Sequence, residues 1–124
     1  VNRADGMRAL RKMREAALKL GEQGRSMLIV PQGTRVPPGT SKPYEIGAFA
    51  LYEATGLPVV PVALNSGHVW PRNSWLKYPG TVDIHFLDPI QPGLTRKQFM
   101  AKLEAQIESK MAVIDASTPD NDRR

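Results

Sequence analysis

IVPQGTR, at residues 29–35, is the stretch around which the rest of the chain is organised. The apolar run of residues 26–30 is typical of a buried strand, and the stretch then turns at Gly33, which lets the backbone approach a ligand and leaves its N–H exposed. Thr34 adds a hydroxyl donor, and Arg35 can make two parallel hydrogen bonds to a phosphate. The stretch predicts an anion site at the carboxyl end of a strand. Taken alone, however, these residues favour an ordinary surface turn with a solvated arginine.

Helical spacing of apolar residues predicts a helix on each side of this turn. The first covers residues 5–20 and has basic residues on its remaining faces. The second covers residues 44–55, with Ile46, Phe49 and Ala50 facing inward, and glycine follows both helices where helices commonly end.

The last helix has the clearest start signal in the chain. Thr95 and Gln98 fit a capping box, while Leu94 and Phe99 fit the flanking hydrophobic staple. Its core stripe is predicted to be Met100, Leu103, Ile107, Met111 and Ile114. Residues 115–124 are polar, and we expect them to form a disordered tail.

Two strands are predicted between the second and last helices. Residues 57–64 are nearly all apolar, as in a parallel strand buried on both faces, and residues 81–87 alternate as in a strand with one wetter face. Residues 65–79 form the irregular loop between them. The order helix, strand, helix, strand, strand, helix predicts an α/β fold: a layered αβα domain with a mostly parallel or mixed sheet flanked by helices.

Composition limits the possible functions. The 124 residues include no cysteine, which excludes disulfides, thiolate catalysis and Cys-ligated zinc, and the two distant histidines lack metal-ligand spacing. No stretch reaches the roughly 18 apolar residues of a membrane-spanning helix. The net charge of +5 lies wholly in residues 1–35, which hold eight Lys/Arg against three Asp/Glu. A phosphate-bearing partner is the natural expectation.

Four stretches of sequence together resemble a known family. Residues 31–35, Pro-Gln-Gly-Thr-Arg, resemble the Pro-Glu-Gly-Thr-Arg block of the glycerolipid acyltransferases, which include the 1-acylglycerol-3-phosphate (lysophosphatidate) acyltransferases. Residues 59–62, Val-Val-Pro-Val, resemble that family's next block, and residues 46–49 its helix entry. Residues 1–3 resemble the end of the preceding block. The resemblance implies that residues 1–114 are the C-terminal part of a single acyltransferase domain whose upstream sequence is missing.

The resemblance also implies which residues bind substrate. Six positions match the family's blocks: Arg3, Gln32, Gly33, Thr34, Arg35 and Pro61. Arg35 and Arg3 would grip the glycerol phosphate, Gly33 and Thr34 would shape the pocket, and Pro61 would support the acyl-side wall. The sequence departs from the family twice. Gln32 replaces the usual Glu, and Glu45 lies near where many members have Lys. Two readings stay open: a subfamily with an altered acceptor preference, or tolerated variation.

The implied reaction moves a fatty acyl group from acyl-CoA or acyl carrier protein directly to the free hydroxyl of lysophosphatidate, yielding phosphatidate, with no cofactor and no metal. It needs a histidine followed five residues later by an aspartate, as general base and its orienting partner. Asn73 lies five residues after His68, and Ile90 five after His85. We therefore expect no catalytic residue in this chain, the dyad upstream of Val1, and essentially no turnover by the chain alone.

Several readings stay open from the residues themselves. The basic helix can contact an anionic membrane or be an ordinary solvated face, which is favoured, and Trp70 and Trp75 can anchor at an interface or cap the core. His68 can line the pocket, whereas a structural or exposed role is favoured for His85. A nucleic-acid-binding module is the rival class, but its aromatic residues would have to alternate with the basic ones, and here they do not. No nucleic-acid partner is therefore predicted.

The partners and location follow from the resemblance. Lysophosphatidate and the acyl donor are the expected partners, and a membrane surface is expected for the full-length protein, at the cytoplasmic face of the inner membrane. The present chain by itself is expected to be soluble. The sequence does not define the oligomeric state.

Overall fold

Four helices and two short strands make up the regular structure of the part of the chain that the computed structural model describes. That part comprises residues 3–33, 36–37, 39–40, 42–71 and 73–117, with the side chain of residue 3 excepted. The elements, in order, are α1 (Arg3–Glu22), α2 (Gly47–Thr55), β1 (Val62–Leu64), α3 (Ser66–Val69), β2 (Ile84–Phe86) and α4 (Arg96–Ser117). The predicted α/β class is confirmed.

The helix α1 packs against α2 through small and flexible residues. The Met13 methyl group lies 3.9 Å from the position that a Cβ on Gly47 would occupy, so the first turn of α2 fits closely under α1. The helix ends where Gly24 adopts φ +67°, and the Arg25 N–H donates to the Leu20 carbonyl oxygen at 2.9 Å. A left-handed glycine with a bond back into the last turn is a common way for a helix to stop.

The buried strand predicted for residues 26–30 is wrong for this structure. The segment is extended but belongs to no sheet among the described residues, and Leu28 is 88% exposed. An apolar run shows that a segment is suited to burial, but a strand forms only where a neighbouring backbone offers hydrogen bonds. No described backbone pairs with this segment as a strand.

The strands β1 and β2 pair antiparallel, with Val62 opposite Phe86, Ala63 opposite His85 and Leu64 opposite Ile84. A bridge between Val59 and Ile90 extends the pairing. The described sheet is therefore a two-stranded antiparallel one rather than a mostly parallel or mixed one. The reason is local, because residues 81–90 turn back directly alongside residues 59–64 instead of crossing over to a parallel position.

The strand pair is buried on one face only, which corrects the prediction that residues 57–64 are covered on both faces. Ala63 is fully buried on the side where β1 contacts α4, and His85 lies opposite it. The other face presents large apolar side chains to solvent, with Phe86 76% exposed. This exposed apolar face consists of Val62, Leu64, Ile84 and Phe86. The alternation predicted for residues 81–87 is present, but its apolar side faces outward.

The core lies between α2, α4 and the segment that follows β2. Its buried side chains are Ala48, Tyr52, Ile90, Phe99 and Leu103. The rings of Tyr52 and Phe99 stack at 4.1 Å between centroids. The Tyr52 hydroxyl donates to the Gln91 carbonyl oxygen and accepts the Leu94 N–H, so this buried tyrosine has a partner for each role. The fully buried residues of α2 are Ala48, Leu51 and Tyr52. Of the residues predicted to face inward, Phe49 packs against the core from a partly buried position, whereas Ile46 is exposed.

The helix α4 begins as predicted. The Thr95 N–H donates to Gln98 Oε1 at 3.1 Å, and the Gln98 N–H donates to Thr95 Oγ1 at 3.3 Å, so the capping box is formed. The helix continues to Ser117, three residues into the predicted tail, since Asp115 bonds to His68 and the Ser117 hydroxyl donates to the Ile114 carbonyl oxygen. Residues 118–124 of that tail lie outside the described residues.

Candidate functional site

The candidate site is the loop between residues 30 and 45, which we call the anion loop. Of the six residues predicted to bind substrate, the structure describes the side chains of Gln32 and Pro61 and the backbone of Gly33. Thr34, Arg35 and the side chain of Arg3 lie outside the described residues, so their roles stay predictions. The described contacts show how the two ends of the loop are held.

Gly33 forms the turn that begins the anion loop. Its φ is +71°, a left-handed conformation that glycine adopts without steric cost, and its N–H donates to the Val30 carbonyl oxygen at 2.9 Å. The prediction that this N–H is exposed for a ligand is therefore wrong, because the turn itself uses it. A Cβ at this position would lie 3.1 Å from Glu45 Oε1, so the Glu45 carboxylate packs directly over the glycine.

Gln32 closes the anion loop by bonding to Lys42. The Gln32 side-chain amide donates to the Lys42 carbonyl oxygen at 3.1 Å, and the Lys42 ammonium donates to the Gln32 carbonyl oxygen at 3.0 Å. The Glu45 N–H donates to the Pro31 carbonyl oxygen at 2.7 Å. These three bonds hold residues 31–32 beside residues 42–45. An amide at position 32 can donate in this way whereas a carboxylate cannot, which gives a structural use for Gln where the family usually has Glu.

Charges at the closure of the anion loop partly offset each other. The Lys42 ammonium lies 3.4 Å from Glu45 Oε1, and both side chains are largely exposed. A pair of this kind stabilises the fold by about 0–1 kcal/mol. Glu45 lies near where many family members have Lys. Here a positive charge is supplied beside it by Lys42, three residues earlier in the chain.

Tyr44 fastens the end of the anion loop to α4. Its hydroxyl donates to Glu108 Oε1 at 2.9 Å, and its ring packs against the core. Burial, followed by the hydrogen bond and the negative charge of Glu108, raises the pKa of Tyr44 well above its ordinary value. The hydroxyl therefore stays a neutral donor throughout the physiological pH range. This role of Tyr44 was not predicted, because its only signal in the sequence is an aromatic residue just ahead of a helix.

Pro61 lies in the interior next to β1. It is among the largest fully buried side chains, and its carbonyl oxygen accepts the Leu87 N–H at 2.9 Å. This position suits a residue that supports a wall from behind. Its contribution to an acyl-side wall stays a prediction.

The two histidines differ in their surroundings. His68 Nε2 lies 2.8 Å from Asp115 Oδ1, and both side chains are mostly buried, so this pair joins α3 to the end of α4. The pair spans 47 residues and has no relation to the five-residue step of the family's dyad. His85 is half-buried in β2, opposite Ala63. Sequence spacing gave no signal for the bond between His68 and Asp115.

A shallow depression on α1 presents the basic charge of the chain. It is lined by Ala4, Met7, Arg8, Leu10, Arg11 and Arg14. Arg11 Nε lies 4.0 Å from Glu15 Oε1, and both side chains are well exposed, so this ion pair adds little stability. The solvated-face reading of this helix suits the exposure of these side chains, while Met7, 74% exposed, does not take part in the core as its helical spacing predicted.

No group of three or more His, Asp or Glu side chains within the described ranges is arranged to hold a metal ion. Over the same ranges, no helix has the length and apolar character needed to cross a bilayer.

The described residues form a mixed α/β chain whose anion loop is closed by the bonds between Gln32 and Lys42. The family model described as Acyltransferase matches residues 1–65, just over half of the chain. The chain belongs to the acyltransferase family, and the resemblance found in the sequence is confirmed.

Two similar proteins have the same enzyme name. The chain is 37% identical over 84 residues to the 1-acyl-sn-glycerol-3-phosphate acyltransferase of Pseudomonas aeruginosa, a match that covers 68% of this chain and 33% of that protein. It is 28% identical over 92 residues to the enzyme of the same name from Cocos nucifera, covering 73% of this chain and 30% of that protein. The chain thus spans about one third of the length of the curated relatives it matches.

A solved structure shares the fold. The crystal structure of the 1-acyl-sn-glycerophosphate (LPA) acyltransferase PlsC from Thermotoga maritima superposes with a TM-score of 0.78 at 25% sequence identity. The superposition covers 90% of this chain and 47% of that one. The arrangement of helices around the antiparallel strand pair is therefore one that a lysophosphatidate acyltransferase also has.

Proposed function

We propose that the protein transfers a fatty acyl group from a thioester donor, acyl-CoA or acyl carrier protein, to the free hydroxyl of 1-acylglycerol-3-phosphate. The observation that supports this most strongly is the coincidence of the family match over residues 1–65 with the closed anion loop that lies within it. Relatives that match this chain bear the name of that enzyme.

The proposed role of this chain is to seat the acceptor's phosphate. The turn at Gly33 and the bonds between Gln32 and Lys42 fix both ends of the segment that contains Thr34 and Arg35. In the proposal, Arg35 and Arg3 bind the phosphate, so that the acceptor hydroxyl is held at one distance and angle from the thioester. Orientation of this kind can lower a barrier by several kcal/mol, up to roughly 7–11 kcal/mol for well-aligned groups.

The chemical step proposed is direct. The acceptor hydroxyl oxygen forms a bond to the thioester carbonyl carbon, the carbon–sulfur bond breaks, and the hydroxyl proton passes by way of a general base to the thiol that leaves. The base proposed is a histidine oriented by an aspartate five residues later, located outside residues 1–124. Neither His68 nor His85 has that spacing.

A second acceptor has one specific observation in its favour. The Glu45 carboxylate packs over Gly33 at the start of the anion loop, where a negative charge opposes a phosphate that carries two charges. A lyso-lipid whose phosphate is a singly charged diester would meet less repulsion there. The Lys42 ammonium, 3.4 Å away, offsets part of this effect, and lysophosphatidate therefore remains the first candidate.

The proposed location is a membrane surface, since both the acceptor and the product are lipids. We propose the cytoplasmic face of the inner membrane for the full-length protein, with no cofactor other than the acyl donor as co-substrate. The basic face of α1 supports the proposal, because anionic headgroups attract clustered arginines.

The test compares acceptors and variants in the full-length protein. Lysophosphatidate should be acylated with a higher kcat/KM than glycerol 3-phosphate or lysophosphatidylglycerol, and Glu45→Gln should raise kcat/KM for lysophosphatidate more than for the diester. His68→Gln should leave kcat within a few-fold, because His68 is not the base. A loss of roughly a hundred-fold or more in His68→Gln would instead place the base within this chain and contradict the proposed mechanism.

A further inference from the structure

The most exposed aromatic side chain in the described structure lies on the loop between α3 and β2. Trp75 is 97% exposed, and its neighbour Leu76 is 66% exposed. We call residues 70–79 the tryptophan loop. The alternative that the tryptophans cap the core is therefore wrong for Trp75. A large apolar pair at the tip of a loop marks a place that something other than water contacts.

Several polar groups at the tip of the tryptophan loop are paired within the loop. The Trp70 indole N–H donates to the Ser74 carbonyl oxygen at 2.9 Å. The Leu76 N–H donates to Ser74 Oγ at 3.1 Å, and the Ser74 hydroxyl is 3.3 Å from the Leu76 carbonyl oxygen. Backbone groups that are already paired cost less to move into an apolar medium. These bonds lower the cost of moving the tip into such a medium.

The base of the tryptophan loop is fixed to the rest of the fold. Asn65, 2% exposed, donates from its side-chain amide to the Thr81 carbonyl oxygen at 3.2 Å and accepts the Asp83 N–H at 2.8 Å. Further along, the Tyr78 N–H donates to the Val69 carbonyl oxygen at 2.8 Å. Trp75 and Leu76 therefore project from an anchored base.

Among Lys, Arg, Asp and Glu residues, this part of the sequence contains only basic ones. Residues 65–82 contain Arg72 and Lys77 and no acidic residue. The Lys77 ammonium lies 4.3 Å from the centroid of the Trp70 ring, next to the exposed pair. Tryptophan with an adjacent aliphatic side chain and a nearby cation is the composition that favours the interface of a bilayer with anionic lipids, where the ring lies at headgroup level and the cation meets phosphates.

We propose that Trp75 and Leu76 insert into the interface of an anionic lipid bilayer, with Lys77 at the level of the headgroup phosphates. The inference rests on the membrane contact proposed above and names the segment that makes it. A lipid surface fits better than a protein partner. Two adjacent side chains provide far less than the roughly 800 Å² per partner of a stable protein interface, whereas a shallow insertion supported by charge needs no such area.

The test measures binding of the full-length protein to vesicles of phosphatidylcholine alone and to vesicles of phosphatidylcholine mixed with anionic phosphatidylglycerol. Trp75→Ala should lower the partition coefficient for the anionic vesicles by roughly tenfold or more, because a buried apolar side chain is lost. Val113→Ala, which removes an apolar side chain that is 61% exposed on α4, is the matched control and should bind like the unmodified protein. Acyl transfer assayed in detergent micelles should be unchanged in Trp75→Ala.

The outcomes separate this inference from the proposals it rests on. If the unmodified protein binds no vesicles, both the membrane contact and this inference are contradicted. If it binds and Trp75→Ala binds equally well, the membrane contact stands and the role of the tryptophan loop is overturned. A change in molecular mass by light scattering in Trp75→Ala would show a protein interface instead, and would also overturn it. Quenching of the Trp75 fluorescence by brominated lipid, in a Trp70→Phe background, would support the insertion directly.

Discussion

The backbone conformation of Gly33 determines how the anion loop begins. With φ at +71°, the position suits glycine, and we expect Gly33→Ala to lower the free energy of unfolding by about 1–2 kcal/mol. The dihedral angle rather than the contact with Glu45 should cause this loss, because the atom nearest to the added Cβ is the end of a flexible side chain. Chemical denaturation of the full-length protein measures it.

Two further variants make the Gly33 measurement specific. The loss should persist in a Glu45→Ala background, and recovery there would show that the contact, not the backbone, is responsible. Gly6→Ala is the matched control, since Gly6 lies within α1 with open space around its Cβ position. That substitution should raise stability by up to about 1 kcal/mol.

Tyr44 makes the stability of the fold depend on alkaline pH. Its pKa is raised in the folded chain, by burial and by Glu108, above the value of about 10 in the unfolded chain. The associated stabilisation is therefore complete below pH 10 and decreases as the pH rises above 10, where only the unfolded chain loses the proton. We expect Tyr44→Phe to cost about 1–2 kcal/mol at pH 8, because Glu108 loses its donor, and the difference from the unmodified protein should shrink towards pH 11.

The control for Tyr44 is Tyr78→Phe, which removes the hydroxyl of a half-buried tyrosine on the tryptophan loop. Denaturation at several pH values between 8 and 11 compares the three proteins. A difference between Tyr44→Phe and the unmodified protein that stays constant over this range would contradict the account of the raised pKa.

Some features of the candidate site could be predicted from the sequence, and others could not. Gly33 was correctly expected at a turn, since few other residues adopt its conformation. The use of its N–H, the bonds between Gln32 and Lys42 and the bond between Tyr44 and Glu108 could not be predicted. Each of these depends on where distant backbone lies, which no local pattern encodes.

At the scale of elements, the capping box of α4 is where local sequence and structure agree most closely. Because Thr95 and Gln98 each accept the other's N–H, we expect Thr95→Ala to lower the free energy of unfolding by about 1 kcal/mol. Thr95→Ala combined with Gln98→Ala should cost less than the sum of the single changes, since the two bonds support each other. Thr81→Ala, at an exposed position outside any element, serves as the control. Strict additivity would contradict the reciprocal arrangement.

The strands were less predictable than the helices for a physical reason. A capping box is complete within four residues, whereas a strand depends on a partner that the sequence does not name. Residues 26–30 have the composition of a strand and no described partner, and residues 81–87 alternate correctly but present Ile84 and Phe86 outward. For residues 81–87, the alternation of the sequence predicted a strand. Which face of that strand is covered depends on the position of α4, which contacts β1.

At the scale of the whole molecule, the family was predictable because its blocks are local. Residues 31–35 and 59–62 could be compared with a known pattern without any structure, and the family match over residues 1–65 confirmed the result. The exposed apolar face of β1 and β2 was not predictable. It leaves Phe86 and Ile84 in water in the described structure, while the solved relative is about twice as long as the part that this chain superposes on.

We propose that the anion loop seats the phosphate of a lyso-lipid acceptor by means of Arg35. Steady-state kinetics of Arg35→Ala in the full-length protein tests it most directly. The account predicts a KM for lysophosphatidate raised by at least about tenfold, a KM for the acyl donor nearly unchanged, and only partial recovery in Arg35→Lys, which lacks the planar fork of the guanidinium. An unchanged KM for lysophosphatidate, or an equal rise in the KM of the donor, would contradict it.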